Sequence, residues 1–138
     1  MRRPVIAGLP LLLFFLAGCG TGRSPVYPVE GKVFDDKGKP AVGARVILHP
    51  LINPEGDFNR PVGTVDDTGT FRLTTFEKGD GAPAGEYSVS IEWRPPRRSP
   101  VDPPPPDQLK GRYSNPKTTP FKATVAKQAT TLEPFTVK

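Results

Sequence analysis

Residues 86–93 alternate without a break: Tyr87, Val89, Ile91 and Trp93 are apolar or aromatic, while Glu86, Ser88, Ser90 and Glu92 are polar. A period of two puts one set on each face of a β-strand, whereas a helix would scatter both sets around its axis. The stretch therefore predicts a strand with one face on a core and the other in water. One such strand cannot fold alone, and the rest of the chain supplies partners. Residues 70–75 repeat the pattern, with Phe71 and Leu73 inward and Arg72 and Thr74 outward. Residues 29–34, 44–49, 61–65, 121–126 and 132–137 also read as strands, and the unbroken Val46, Ile47 and Leu48 are expected to be covered on both faces. Nineteen prolines and fourteen glycines punctuate these runs, and no sustained helical period follows residue 18. The segments 35–38 and 66–69 carry Asp and Gly where tight reversals need capping. About seven short strands in a chain of 138 residues predict one all-β domain built as a two-sheet sandwich.

The N-terminus is a separate problem. Arg2 and Arg3 precede an apolar run over 5–17 that contains Pro10 and ends in small residues before Cys19, the only cysteine. This is the layout of an export signal. As a helix the run reaches roughly 20 Å, short of the ~30 Å hydrocarbon core, so a permanent membrane span is the weaker reading. Leu16, Ala17, Gly18 and Cys19 resemble the lipobox of bacterial lipoproteins. That resemblance implies cleavage of a signal peptide over 1–18, a diacylglyceryl thioether on Cys19 and a lipidated tether over 19–25. Lipidation also explains an unpaired cysteine in an exported chain, where a bare thiol is a liability. Two acyl chains suffice for stable anchoring. Gly20, in place of an aspartate, favours the outer membrane if the source is Gram-negative, by resemblance to lipoprotein sorting. The expected location is the periplasmic or cell-surface side of a membrane.

The run VEGKVFDDKGKPAVGARVILHP, followed by DDTGTFRLTT and GDGAPAGEYSVSIEW, resembles the carboxypeptidase regulatory-like, or transthyretin-like, domains over about residues 26–94. GRYSNPKTTPFKATV is similar to the last part of planctomycete-type small exported lipoproteins of this kind. The resemblance implies a small Ig-like or transthyretin-like (prealbumin-like) β-sandwich over 26–138, without implying an activity. Relatives of that fold include a hydroxyisourate hydrolase that works with histidines and a Tyr-Arg-Gly-Ser tail, and dioxygenases that hold iron with two histidines and two tyrosines. This chain has one histidine, His49, and ends Phe-Thr-Val-Lys, so neither site carries over. His49 precedes Pro50 at a strand end and reads as a solvent-edge residue. No serine lies in a Gly-x-Ser-x-Gly elbow, and Asp66, Asp67 and Asp80 read as turn caps ahead of a calcium loop. No enzyme, cofactor or metal is expected.

The basic excess, 19 Lys and Arg against 14 Asp and Glu, is mild and scattered, apart from Arg94, Arg97 and Arg98. No recognition helix or reading motif accompanies it, so nucleic acid is not an expected partner. The basic cluster lies in a stretch, 93–113, that holds seven prolines and includes the proline-rich loop 95–110. Such a loop favours an extended polyproline path and cannot lie inside a central strand. It reads either as a stiff spacer or as a docking element in which Trp93, Arg94, Arg97, Arg98 and Tyr113 contact a partner. The leading expectation is a lipid-anchored, non-enzymatic structural or protein-binding module of the cell envelope. A carbohydrate-binding module presenting Tyr27, Trp93 and Tyr113 to an envelope polysaccharide is the alternative, and a transthyretin-like hydrolase built on His49 is third.

Overall fold

The computed structural model describes residues 22–53 and 59–138. Among them every regular element is a strand: β1 (Val26–Tyr27), β2 (Val29–Asp35), β3 (Arg45–Pro50), β4 (Val62–Thr64), β5 (Thr70–Arg72), β6 (Ala82–Pro83), β7 (Gly85–Glu92), β8 (Lys122–Val125), β9 (Thr130–Thr131) and β10 (Phe135–Val137). The seven expected strands are all present. The additional two-residue elements are too short to leave a period in the sequence. The expected signal peptide over 1–18, Cys19 and the start of the expected tether lie outside the described residues.

Two sheets enclose one core. In the first, β2 is central, with β5 antiparallel on one side and β9 and β10 parallel to it on the other. The expected strand at 132–137 is thus divided: β9 ends at Thr131 and β10 begins at Phe135. Pro134 lies between them and has no N–H to donate to a ladder. The second sheet runs β4-β3-β7-β8, antiparallel throughout. Beyond β5 the chain crosses between sheets, where Thr74 and Val62 exchange backbone hydrogen bonds of 2.8 and 3.0 Å.

Val29, Val33, Phe71, Leu73 and Val137 face inward from the first sheet, and Val46, Leu48, Val89 and Ile91 from the second, in a single cluster. Burying each large aliphatic side chain contributes roughly 1.5–3 kcal/mol. Gly31 makes room for this cluster: a Cβ there would stand 2.5 Å from Cζ of Phe71, its neighbour across the ladder. Ile47, expected to be covered on both faces with its neighbours, is only half-buried, so the second sheet has one core face. The outer face of β7 departs from its alternation in the other direction. Ser88 and Ser90 are buried: β3 and β8 flank β7, Ser88 stands opposite His49 and Lys122, Ser90 opposite Ile47, and the His49 ring reaches the Ser90 hydroxyl.

The strand directions give the sandwich two distinct ends. At one end β1 pairs with β6, β7 begins, β3 ends and the amide of Leu51 donates to the carbonyl of Glu86. At the other end β2 finishes at Asp35, β3 starts at Arg45, β7 finishes at Glu92 and β10 delivers Val137 beside Asp35. The eight residues of β7 separate these ends by about 25 Å.

Candidate functional site

The segment that follows β7 is built as a closed loop. Asp107 is its clasp: Oδ1 accepts from the amides of Trp93 (2.8 Å) and Leu109 (3.0 Å), and Oδ2 accepts from the amide of Gly111 (3.0 Å). The Gln108 amide returns a bond to the Trp93 carbonyl at 2.7 Å. These contacts bring residues 93 and 107 together, and most of the intervening residues are exposed. Arg94 braces the base, donating through Nε to Glu92 (3.1 Å) and through Nη1 to the carbonyl of Pro105 (2.8 Å).

Two apolar plugs hold the returning arm. Leu109 and Tyr113 are 5% and 6% exposed, and the Tyr113 ring packs on Phe121 (4.9 Å between centroids), which in turn packs on Phe135 of the first sheet (5.1 Å). The Tyr113 carbonyl accepts from the Ile91 amide at 2.9 Å. Tyr113 is therefore a core residue and not a partner contact or a sugar platform. Its neighbours in sequence are Gly, Arg and Ser, which hid its burial. Trp93 is half-buried against the core, and its indole Nε1 donates to the carbonyl of Val42 at 2.9 Å. Arg94 is engaged as described.

Of the five expected contact residues, Arg97 and Arg98 are the two that stand exposed with no ion pair or side-chain hydrogen bond among the described residues. Val101, in the same loop, is 90% exposed. Proline keeps this tip from collapsing onto the domain, because it fixes φ and removes the amide donor. The tip thus presents two guanidinium groups and an aliphatic side chain on a braced base.

His49 is not a solvent-edge residue. It is half-buried on the outer face of the second sheet, with Nε2 2.8 Å from Oγ of Ser90. Burial, and then the positive charge of Arg60, hold its pKa below 6.5. The pair lacks the features of a nucleophile and base: Ser90 is 4% exposed, and a cation rather than a carboxylate influences the imidazole. Asp66 and Asp80 cap turns. Asp66 Oδ1 accepts from the amides of Thr68 (2.9 Å) and Thr70 (3.0 Å), and Asp80 accepts from the amides of Thr75, Phe76 and Glu77 at 2.7–3.0 Å. Among the described residues no group of three His, Cys, Asp or Glu side chains is arranged to hold a metal ion.

A depression open to solvent spans β2 and β5 of the first sheet and β4 of the second, lined by Lys32, Thr64, Thr70, Arg72 and Glu133 among others. No aromatic ring lines it. Of the three rings expected as sugar platforms, Tyr113 is buried, and Tyr27 and Trp93 are half-buried.

The arrangement defines an all-β sandwich that offers a braced, basic, proline-rich loop at one end. No protein-family profile matches the chain, and no curated protein is significantly similar to it. Among solved structures, a crystal structure of the major pilin subunit of Bacillus cereus aligns with 82% of this chain at 12% sequence identity and a TM-score of 0.43. The aligned part is 29% of the pilin chain.

Proposed function

We propose that the protein is a lipid-anchored, non-enzymatic binding module of the cell envelope, held to the membrane through Cys19 and engaging a protein partner through the tip of the loop 95–110. The fold is of the transthyretin-like or carboxypeptidase regulatory-like type within the β-sandwiches. The observation that carries the reading is the position of the loop. It leaves the sandwich at the far end of β7, about 25 Å from the end where Val26 and Tyr27 join β6. A lipid on Cys19 sits at most seven residue steps from Val26, a reach of about 25 Å. Lipid at one end and loop at the other is the geometry of a module that displays its contact surface away from the membrane.

The chemistry of the tip suits an acidic, partly apolar protein surface. Arg97 and Arg98 offer bidentate donors to carboxylates, and Val101 and the prolines add rigid apolar area at low entropic cost. Association through two exposed charges is expected to weaken with salt. The test uses intact cells. A photocrosslinking residue at Pro100 is expected to give adducts with the native tip and to lose them when Arg97 and Arg98 become Ala and Val101 becomes Ser. Unchanged adducts would remove the tip from the contact. Separately, Cys19→Ser is expected to move the chain from the membrane to the soluble fraction, and unchanged fractionation would refute the anchor.

A further inference from the structure

The end of the sandwich opposite the loop carries a feature that the proposed function does not use. Ile52 is 87% exposed and Leu51 46% exposed. They are two of the four large hydrophobic side chains that stand exposed among the described residues. Their backbone is defined: the Leu51 amide donates to the Glu86 carbonyl at 3.0 Å, and Asn53 turns the chain with φ of 56°. The aliphatic pair is thus presented at the very end of β3, beyond Pro50.

That end is also where the N-terminal chain arrives. β1 is tied to β6, and Arg23 reaches the ring of Phe76 at 5.2 Å, in the loop between β5 and β6. Chain preceding Arg23 is short: Cys19 is four residues away, a reach of about 14 Å when fully extended. An acyl anchor on Cys19 consequently holds this end of the sandwich within touching distance of the bilayer. The exposed aliphatic pair lies at that same end of the sandwich.

We infer that Leu51 and Ile52 form a lipid-contacting tip that inserts into the headgroup region and fixes the standing orientation of the domain. The inference rests on the reading of Cys19 as the anchor. Insertion of a few apolar side chains is too weak to hold a soluble domain on a membrane alone, but a tether removes the translational cost and makes such a contact effectively intramolecular. The segments that meet at this end carry both signs, with Arg23, Arg60, Lys78 and Lys127 against Glu77, Asp80 and Glu86. Contact is therefore expected on zwitterionic lipid as readily as on anionic lipid. The upright posture directs the proline-rich loop away from the surface.

The test uses the lipidated full chain in phosphatidylcholine vesicles. Once Cys19 carries lipid, an introduced cysteine is the only free thiol, so Ile52→Cys and Val101→Cys each take a single nitroxide label. Both positions are strongly exposed, so labelling leaves the core intact. The label at position 52 is expected to gain collisions with oxygen and to lose collisions with a water-soluble nickel chelate on vesicle binding. The label at position 101 is expected to keep its aqueous profile. A lipidated chain whose position-52 label stays aqueous overturns the inference and leaves the anchor standing. A chain whose mass shows no diacylglyceryl group on Cys19 overturns the anchor and the inference together.

Discussion

Asp107→Ala is the perturbation whose consequence follows most directly from the geometry. The carboxylate accepts from the amides of Trp93, Leu109 and Gly111. Hydrogen bonds to a charged acceptor contribute about 1.5–3 kcal/mol when the donor is shielded and much less when water replaces the acceptor. The Trp93 and Leu109 bonds are partly buried and the Gly111 bond is exposed, so two bonds at the lower end of that range carry most of the effect. The expected loss is about 2–3 kcal/mol, read as a lower urea midpoint at unchanged slope. Asp107→Asn keeps one acceptor oxygen, which can still serve Trp93 and Leu109, and is expected to lose about 1 kcal/mol. Hydrogen exchange supplies a local readout: protection at the amides of residues 93, 109 and 111 is expected to collapse in the alanine variant. Stability within about 0.5 kcal/mol of the parent, with those amides still protected, would refute the clasp.

Further outcomes follow from the core, the turns and the titrating groups. Tyr113→Ala removes a ring packed on Phe121 and is expected to cost about 3–5 kcal/mol by thermal or urea unfolding, whereas a true surface contact would cost almost nothing. Gly81→Ala places a Cβ against the backbone carbonyl of Tyr27 at a φ of +102°, so it is expected to detach β1 from β6, read as lost amide protection at that pairing. His49 has a folded pKa below its unfolded 6.5. As pH falls through 6.5 the unfolded chain takes up the proton first, and stability is expected to decline until the folded pKa is passed. His49→Gln is expected to flatten that part of a pH–stability curve. Burial alone would raise the Asp80 pKa, but the amides of Thr75, Glu77 and Phe76 outweigh it and hold the value below 3.8. The stability it contributes is therefore present above 3.8 and lost as pH falls through the lower folded value, and Asp80→Asn is expected to diminish that loss.

The strands were legible because each carries its own period or its own bounding turns. Tyr87, Val89 and Ile91 point inward as their alternation requires, and the caps at Asp35 and Asp66 sit where Asp and Gly were spaced for reversal. The pairing was not legible. Whether a strand lies parallel to β2, as β9 and β10 do, depends on tertiary contacts that leave no local signal. Ser88 and Ser90 were misread because polarity predicts exposure only when neighbouring side chains are too short to cover a small hydroxyl. The segment 107–119 was the largest loss. It is turn upon turn, without period, yet Leu109, Tyr113 and Thr119 are buried and Thr119 Oγ1 donates to the Val89 carbonyl at 2.7 Å. A signal was present: Asp107 followed by Leu109 and Gly111 has the spacing of a side chain capping successive amides. Exposure of Arg97 and Arg98, by contrast, followed from the prolines around them.

The proposal above has an anchored sandwich meet a protein partner through the tip of the proline-rich loop. The most direct measurement compares photocrosslinking in intact cells from position 100, at the tip, with position 124, an exposed residue of β8 on the flank of the sandwich. A discrete protein adduct is expected from position 100 that disappears with Arg97→Ala and Arg98→Ala, and none from position 124. No adduct from position 100, or equal adducts from both positions, would contradict it.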